Sequence, residues 1–205
     1  RQPQADDSTL TKMTEVIRQR MTGRVWFVGS NVQTAPQIES GFKDAVRLLD
    51  SHLEHRPYVL GARPSFADFG LAAQIYSCWI DPTPGGFISG GFPNVLAWIQ
   101  RMLWPRIEGD FESWSTLEAT LMPFLRGQVG GRFMPWTLAN LAALSNGSDQ
   151  FEVELIDGLW KQKPQKYHAK SLQMLRDKYT HVSHKVELDR ILEQAGCLEG
   201  LQAYD

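Results

Sequence analysis

The stretch LGARPSFADFGLAAQI, Leu60 to Ile75, places an acid at the head of an apolar run and so fixes where one helix must begin. Ser65 precedes the run and Asp68 follows three residues later, the Ser-x-x-Asp spacing of an N-terminal capping box. In such a box the hydroxyl accepts from the third helical N–H while the carboxylate reaches back to the amide of the cap. Pro64 and Gly61 end whatever lies before it. Phe69, Ala72, Ala73 and Tyr76 recur at three- and four-residue spacing and read as the buried face of this helix. Ser65 and Asp68 are therefore structural, and cap loss alone puts the cost of Asp68→Ala at roughly 1 to 2 kcal/mol.

The same periodicity governs the rest of the first half. Leu10, Met13, Val16, Ile17 and Met21 form one apolar stripe, with Ser8 or Thr9 as its cap and Gly23 as its stop. Thr34 with Gln37 gives a second capping box, ahead of a long stripe from Ile38 through Phe42, Val46 and Leu49 to Leu53 and a helix end near His55. DPTPGGFISGGFP, with three prolines and four glycines, reads as a loop. It lacks the Lys-Ser/Thr ending and the preceding strand of a phosphate loop. Val95, Ile99, Met102 and Leu103 mark a further helix, ended by Pro105.

Beyond Pro105, Leu117, Leu121, Phe124, Leu125 and Val129 make one stripe and PWTLANLAALSNG another. In QFEVELIDGLWKQ the period changes to two, since Phe151, Val153 and Leu155 alternate with Glu152 and Glu154. Asp157-Gly158 is a favoured two-residue turn, so a β-hairpin with a type I′ turn is expected near residues 151–162. The segments YHAKSLQMLRDKYTHV and KVELDRILEQAG return to helical spacing. The fold class is mostly α with one small hairpin.

With 205 residues, 42% of them hydrophobic, the chain can bury a sizeable core. Its 21 basic and 23 acidic residues leave a formal charge of −2, which offers no broad footprint for nucleic acid or an anionic membrane. Two cysteines, Cys78 and Cys197, do not make a disulfide framework, and a reducing cytoplasm is expected. No stretch approaches the roughly 20 apolar residues of a membrane span. The leading RQPQADDSTL is polar and starts on Arg rather than Met, as expected for part of a longer product.

LLDSHLEHRPYVLGARPSFADFGLAAQI, followed by FPNVLAWIQRM, resembles the helical C-terminal domain of glutathione S-transferases. Leu49 and Leu53, Tyr58-Val59-Leu60-Gly61, the Ser65–Asp68 box, Pro93 and Trp98 carry the resemblance. More loosely, ELIDGLWKQKPQKYHAKSLQMLRDKY resembles the extended tail of some long bacterial members. The expected organisation is a transferase-like helical core over residues 1–105 and a helical extension over 106–205, packed together as one unit. In the family a thioredoxin-like N-terminal domain binds glutathione and activates its thiol, while the helical domain supplies the pocket for an apolar electrophile. No thioredoxin-like pattern precedes the first helix, so the resemblance implies no catalytic residue and no cofactor in this chain. Glutathione and the thioredoxin-like domain are implied for the full-length protein, with a homodimer as a further possibility.

The resemblance also makes the first helix a wall of the electrophile pocket, with Met13, Ile17 and Met21 on its apolar face and Tyr76 and Trp79 from the helix after Ser65. Adaptable methionines and flat aromatics suit varied apolar ligands. The alternative is that these residues are plain core and the chain is a non-catalytic binding or scaffolding module. On the enzymatic reading the 205-residue chain alone does not conjugate glutathione, yet binds apolar dyes weakly near Met13, Ile17 and Tyr76. His181 and His184, with His168 upstream, lack a completing ligand and read as a solvated face rather than a metal site. His52 and His55 read as helix-end residues favoured by the helix dipole. Trp26, Trp104, Trp114 and Trp136 read as core or interface anchors that also suit a groove.

Overall fold

The computed structural model describes residues 6–202. Helix α1 spans Asp7–Thr22, and its cap is Asp6, whose carboxylate accepts Thr9 N–H at 2.8 Å, rather than Ser8 or Thr9. A 3-10 turn, Val25–Val28, leads to α2, Ala35–Leu53. The Thr34–Gln37 box does not form. Thr34 Oγ1 instead donates to Gly29 O, Asn31 Oδ1 takes the Gln33 and Thr34 amides, and Gln37 reaches across to the Leu159 carbonyl.

Helix α3, Phe66–Trp79, starts where the box predicts. Its buried face does not match the expectation. Phe69 is 52% exposed and Tyr76 37%, whereas Asp68 and Ile75 are buried. A helix that is apolar on nearly every side gives periodicity no face to choose, and the buried acid decides it. Asp68 Oδ2 accepts the amide (2.8 Å) and hydroxyl (2.6 Å) of Ser65, while Oδ1 accepts Val59 N–H (2.8 Å) and the Trp98 indole (3.0 Å).

The expected loop at 81–93 is largely helix α4, Pro82–Gly91. Asp81 caps it by accepting Thr83 N–H (3.0 Å), and both of its prolines fall in the first turn, where a missing N–H costs nothing. Ile88 then anchors it in the core. Helix α5, Pro93–Met102, is capped from outside, since Asp50 of α2 accepts the amides of Asn94 (2.9 Å) and Val95 (3.0 Å). Val46 and Leu49 of α2, Ile75, Ile88, and Val95 and Trp98 of α5 form the main core.

Helix α6, Trp114–Phe124, adds Leu117 and Leu121 to that core and runs without a break through a π-helical segment, Leu125–Phe133, into α7, Met134–Ser145. Pro135 has no N–H for Gly131 O four residues back. That carbonyl accepts Ile156 N–H (3.1 Å) from the hairpin instead.

Strands β1, Phe151–Leu155, and β2, Gly158–Gln162, form the expected hairpin, in antiparallel register from Phe151 opposite Gln162 to Leu155 opposite Gly158. Ile156 and Asp157 make the turn, not Asp157-Gly158, and no non-glycine residue among those described has positive φ, so a type I′ turn is ruled out. Gly158 carries the strain at φ +116°. Gly158→Val is expected to cost about 1 kcal/mol or more, because a β-branched side chain resists that conformation. Chemical denaturation of the variant checks this. An unchanged midpoint would contradict it.

Helices α8, Lys166–Thr180, α9, Lys185–Gln194, and the short α10, Leu198–Leu201, complete the chain. Buried Asn140 of α7 sets the start of α8, since its amide donates to Gln165 O (3.0 Å) and accepts Gln165 N–H (2.6 Å). A second core joins Met122 and Met134 to Ala195 and Cys197. The fold is mostly α with one hairpin. No helix among the described residues is long and apolar enough to cross a membrane.

His52 is buried and held at both ring nitrogens, by Thr120 Oγ1 and Val59 O, each at 2.7 Å. Because Val59 O only accepts, Nε2 carries a proton, and burial with the Arg56 guanidinium 3.3 Å from Nδ1 disfavours a second one, so the ring is held neutral rather than as a cation serving the dipole. Burial pushes its pKa below the ordinary histidine value, and the neighbouring Arg56 adds to the shift. Unfolded His52 therefore binds a proton that folded His52 refuses, and stability falls as pH drops below about 6.5. Denaturant midpoints between pH 7.5 and 5.5 test this, with a shallower decline expected in His52→Gln.

Candidate functional site

A cavity of about 520 Å³ lies between α2, the π-helical segment, α7 and the hairpin. Its walls are apolar and aromatic, with Ile38 and Phe42 from α2, Phe133 and Trp136 from the long helix, and Leu155 and Trp160 from the hairpin. The strand alternation explains the hairpin's share. Residues 151, 153, 155, 160 and 162 point inward while Glu152, Glu154, Leu159 and Lys161 face out, and Glu152 pairs with Lys161 at 2.6 Å.

Gln162 sets the two indoles. Its Oε1 accepts the indole N–H of Trp136 (3.2 Å) and of Trp160 (3.0 Å), and its Nε2 donates to Phe27 O. With both polar edges satisfied, the rings offer flat apolar area. Gly29, at φ +84°, lets the 3-10 turn close against this group, since a Cβ there would lie 2.4 Å from Gln162 Oε1 and 2.5 Å from the Trp160 ring.

Arg132 ties the walls together. Its guanidinium meets Asp157 of the hairpin turn through Nε (2.5 Å) and Nη2 (2.9 Å), Asp44 of α2 through Nη2 (3.1 Å), and Gly127 O through Nη1 (3.1 Å). Arg132 and Asp157 are 16% and 17% exposed at the side chain, so this ion pair is shielded well beyond a surface pair. Gln37 pins the other side of the hairpin by donating to Leu159 O (3.0 Å).

The residues singled out from the sequence lie elsewhere. Met13, Ile17 and Met21 are 42%, 57% and 62% exposed on α1, a helix with no buried residue. Tyr76 and Trp79 come together on α3, ring centroids 5.9 Å apart. Tyr76 borders a smaller groove of about 230 Å³ with Phe69, Met102 and Leu103, and Trp79 packs partly on the main core. No α1 side chain lines either space. Ser65 and Asp68 hold the start of α3. Burial raises the thiol pKa of Cys78 and of Cys197, which leaves both poor nucleophiles. His168 sits at the cavity, edge-on to Trp136 at 4.8 Å, away from any role with His181, whose Nδ1 is bonded at Asp177 O.

A helical core opened by a buried capping-box acid thus carries an aromatic cavity on its flank. Residues 32–101 match the family model of the glutathione S-transferase C-terminal domain. No solved structure matches the chain. The matched stretch ends within α5, so the α2 wall of the cavity lies inside it while Arg132, Trp136 and the hairpin lie beyond it.

Proposed function

We propose that this chain is the ligand-binding helical portion of a glutathione S-transferase-like protein, and that its cavity between α2 and the hairpin holds an apolar, aromatic small molecule of the kind such enzymes modify. The cavity carries this reading. Its volume and its convergent Phe42, Phe133, Trp136 and Trp160 suit one flat ligand. The cavity does not fit glutathione itself, a peptide with two carboxylates, because its one guanidinium is already engaged by Asp157 and Asp44. Thiol activation accordingly falls to a thioredoxin-like domain of the full-length protein. The observation favouring a partner surface is the exposed apolar groove that Phe69 and Tyr76 of α3 form with Leu103. That groove suits the thioredoxin-like domain or a second copy, and on the scaffolding alternative it is the working surface.

N-phenyl-1-naphthylamine, a neutral dye that brightens in apolar surroundings, tests the cavity. Saturable binding is expected, weakened about tenfold or more by Ile38→Glu, which sets a charge in the wall from a partly exposed helix position. Equal binding by that variant would count against the site, and so would binding lost with Met13→Glu instead.

A further inference from the structure

The polar groups of the cavity are nearly all spent on one another. Arg132 uses Nε and Nη2 on Asp157, Nη2 again on Asp44, and Nη1 on Gly127 O. With the Gln128 amide turned so that both its ends are satisfied, its oxygen takes Arg132 Nη1 as well, at 3.2 Å. Gln162 Oε1 is occupied by two indole N–H groups. Arg132 and Asp157 carry the fixed charges of the lining, so the guanidinium has no donor left over for an anion, and His168 stands at the exposed rim.

Gln37 differs. Its Nε2 donates to Leu159 O, and because a carbonyl only accepts, this bond fixes which end of the amide faces the hairpin. Its Oε1 is buried without a partner, on a side chain that lines the cavity. A shielded acceptor with no donor keeps its full desolvation cost, and a ligand that supplies the donor recovers it. A site built this way favours a donor-bearing ligand strongly over the same ligand with the donor capped.

We infer that the cavity selects uncharged, flat aromatic molecules carrying a hydrogen-bond donor, such as phenols or aryl amines, with the donor meeting Gln37 Oε1, and that it discriminates against aryl carboxylates. This rests on the reading of the cavity as a ligand site. It names a specificity residue that the apolar walls alone do not supply.

Three naphthalenes of one shape separate the possibilities: 2-naphthol, 2-methoxynaphthalene and 2-naphthoate, titrated against tryptophan fluorescence at pH 7.5, where the naphthol is neutral. The naphthol is expected to bind about tenfold tighter than its methyl ether and than the carboxylate. In Gln37→Met the naphthol-to-ether ratio falls to about one, a comparison within one variant that cancels any loss of stability or of the Leu159 tie. Equal affinity of naphthol and ether in the unaltered chain overturns the specificity but leaves the ligand site standing. Tightest binding of the naphthoate overturns it as well. No binding by any of the three overturns both this inference and the proposed function.

Discussion

Asp68→Ala will lower the stability of this chain by roughly 3 to 5 kcal/mol, well above the cost of losing a helix cap, because four donors lose their acceptor at once. The Ser65 amide and hydroxyl, Val59 N–H and the Trp98 indole all converge on the one carboxylate. Trp98 and Val59 are buried in the main core, so water does not replace the lost oxygen without opening it. Asp68→Asn keeps an oxygen for some of these donors but turns an N–H toward others, and should fall between. Urea unfolding followed by circular dichroism measures all three proteins. A loss under about 1 kcal/mol for the alanine variant would mean the carboxylate is only a local cap.

Arg132→Met is the second large effect. The methionine keeps much of the aliphatic stem but removes every bond that joins the π-helical segment to Asp157 and to Asp44. Asp157, largely shielded, then has no counter-charge, and the hairpin loses one of its ties to the helices, leaving Gln37 to Leu159 O, Ile156 N–H to Gly131 O and the Trp136 indole to Gln162 Oε1. A cost of about 2 to 3 kcal/mol is expected, below that of a fully buried pair because Asp44 stays partly in water. Naphthylamine affinity should fall in parallel, since Leu155 and Trp160 ride on the hairpin. Hydrogen exchange of the β1 and β2 amides locates the effect. Unchanged protection there would show that the hairpin does not depend on the clamp.

How much of this was legible follows from how far each contact reaches along the chain. Strand alternation and the helix starts are local, and the hairpin and the start of α3 stand where the residues put them. The Ser65 end of the Asp68 network was equally readable. Its Trp98 end lies thirty residues away, where no spacing rule applies. Glycines and prolines misled at 81–93 because two of the prolines fall in a first turn, where they cost nothing, and the glycine count hid an otherwise ordinary capped helix. On α3 the apolar residues ring the helix, so the stripe through Phe69 and Tyr76 was one choice among several.

The cavity was hidden for a different reason. Its walls come from α2, the long helix and the hairpin, and the residues that organise it, Gln37, Arg132 and Gln162, are polar side chains whose partners lie on other elements. Arg132 bridges 88 residues to Asp44 and 25 to Asp157. Trp136 was legible only as one of several core or interface anchors, and Trp160 only as part of the hairpin. The inward phase of β2, with Trp160 and Gln162 on one face, was the nearest signal to the site.

The central assignment is that ligand binds between α2 and the hairpin rather than along α1 and α3. Indole N–H resonances resolve this directly, because the chain has seven tryptophans, two of which have their N–H groups fixed on Gln162 beside the cavity. In a ¹⁵N-indole titration with 2-naphthol, the Trp136 and Trp160 signals, assigned by single Trp→Phe variants, should shift together and saturate while Trp79 and Trp104 stay in place. Shifts confined to Trp79, or none at Trp136 and Trp160 at saturating ligand, would contradict the assignment.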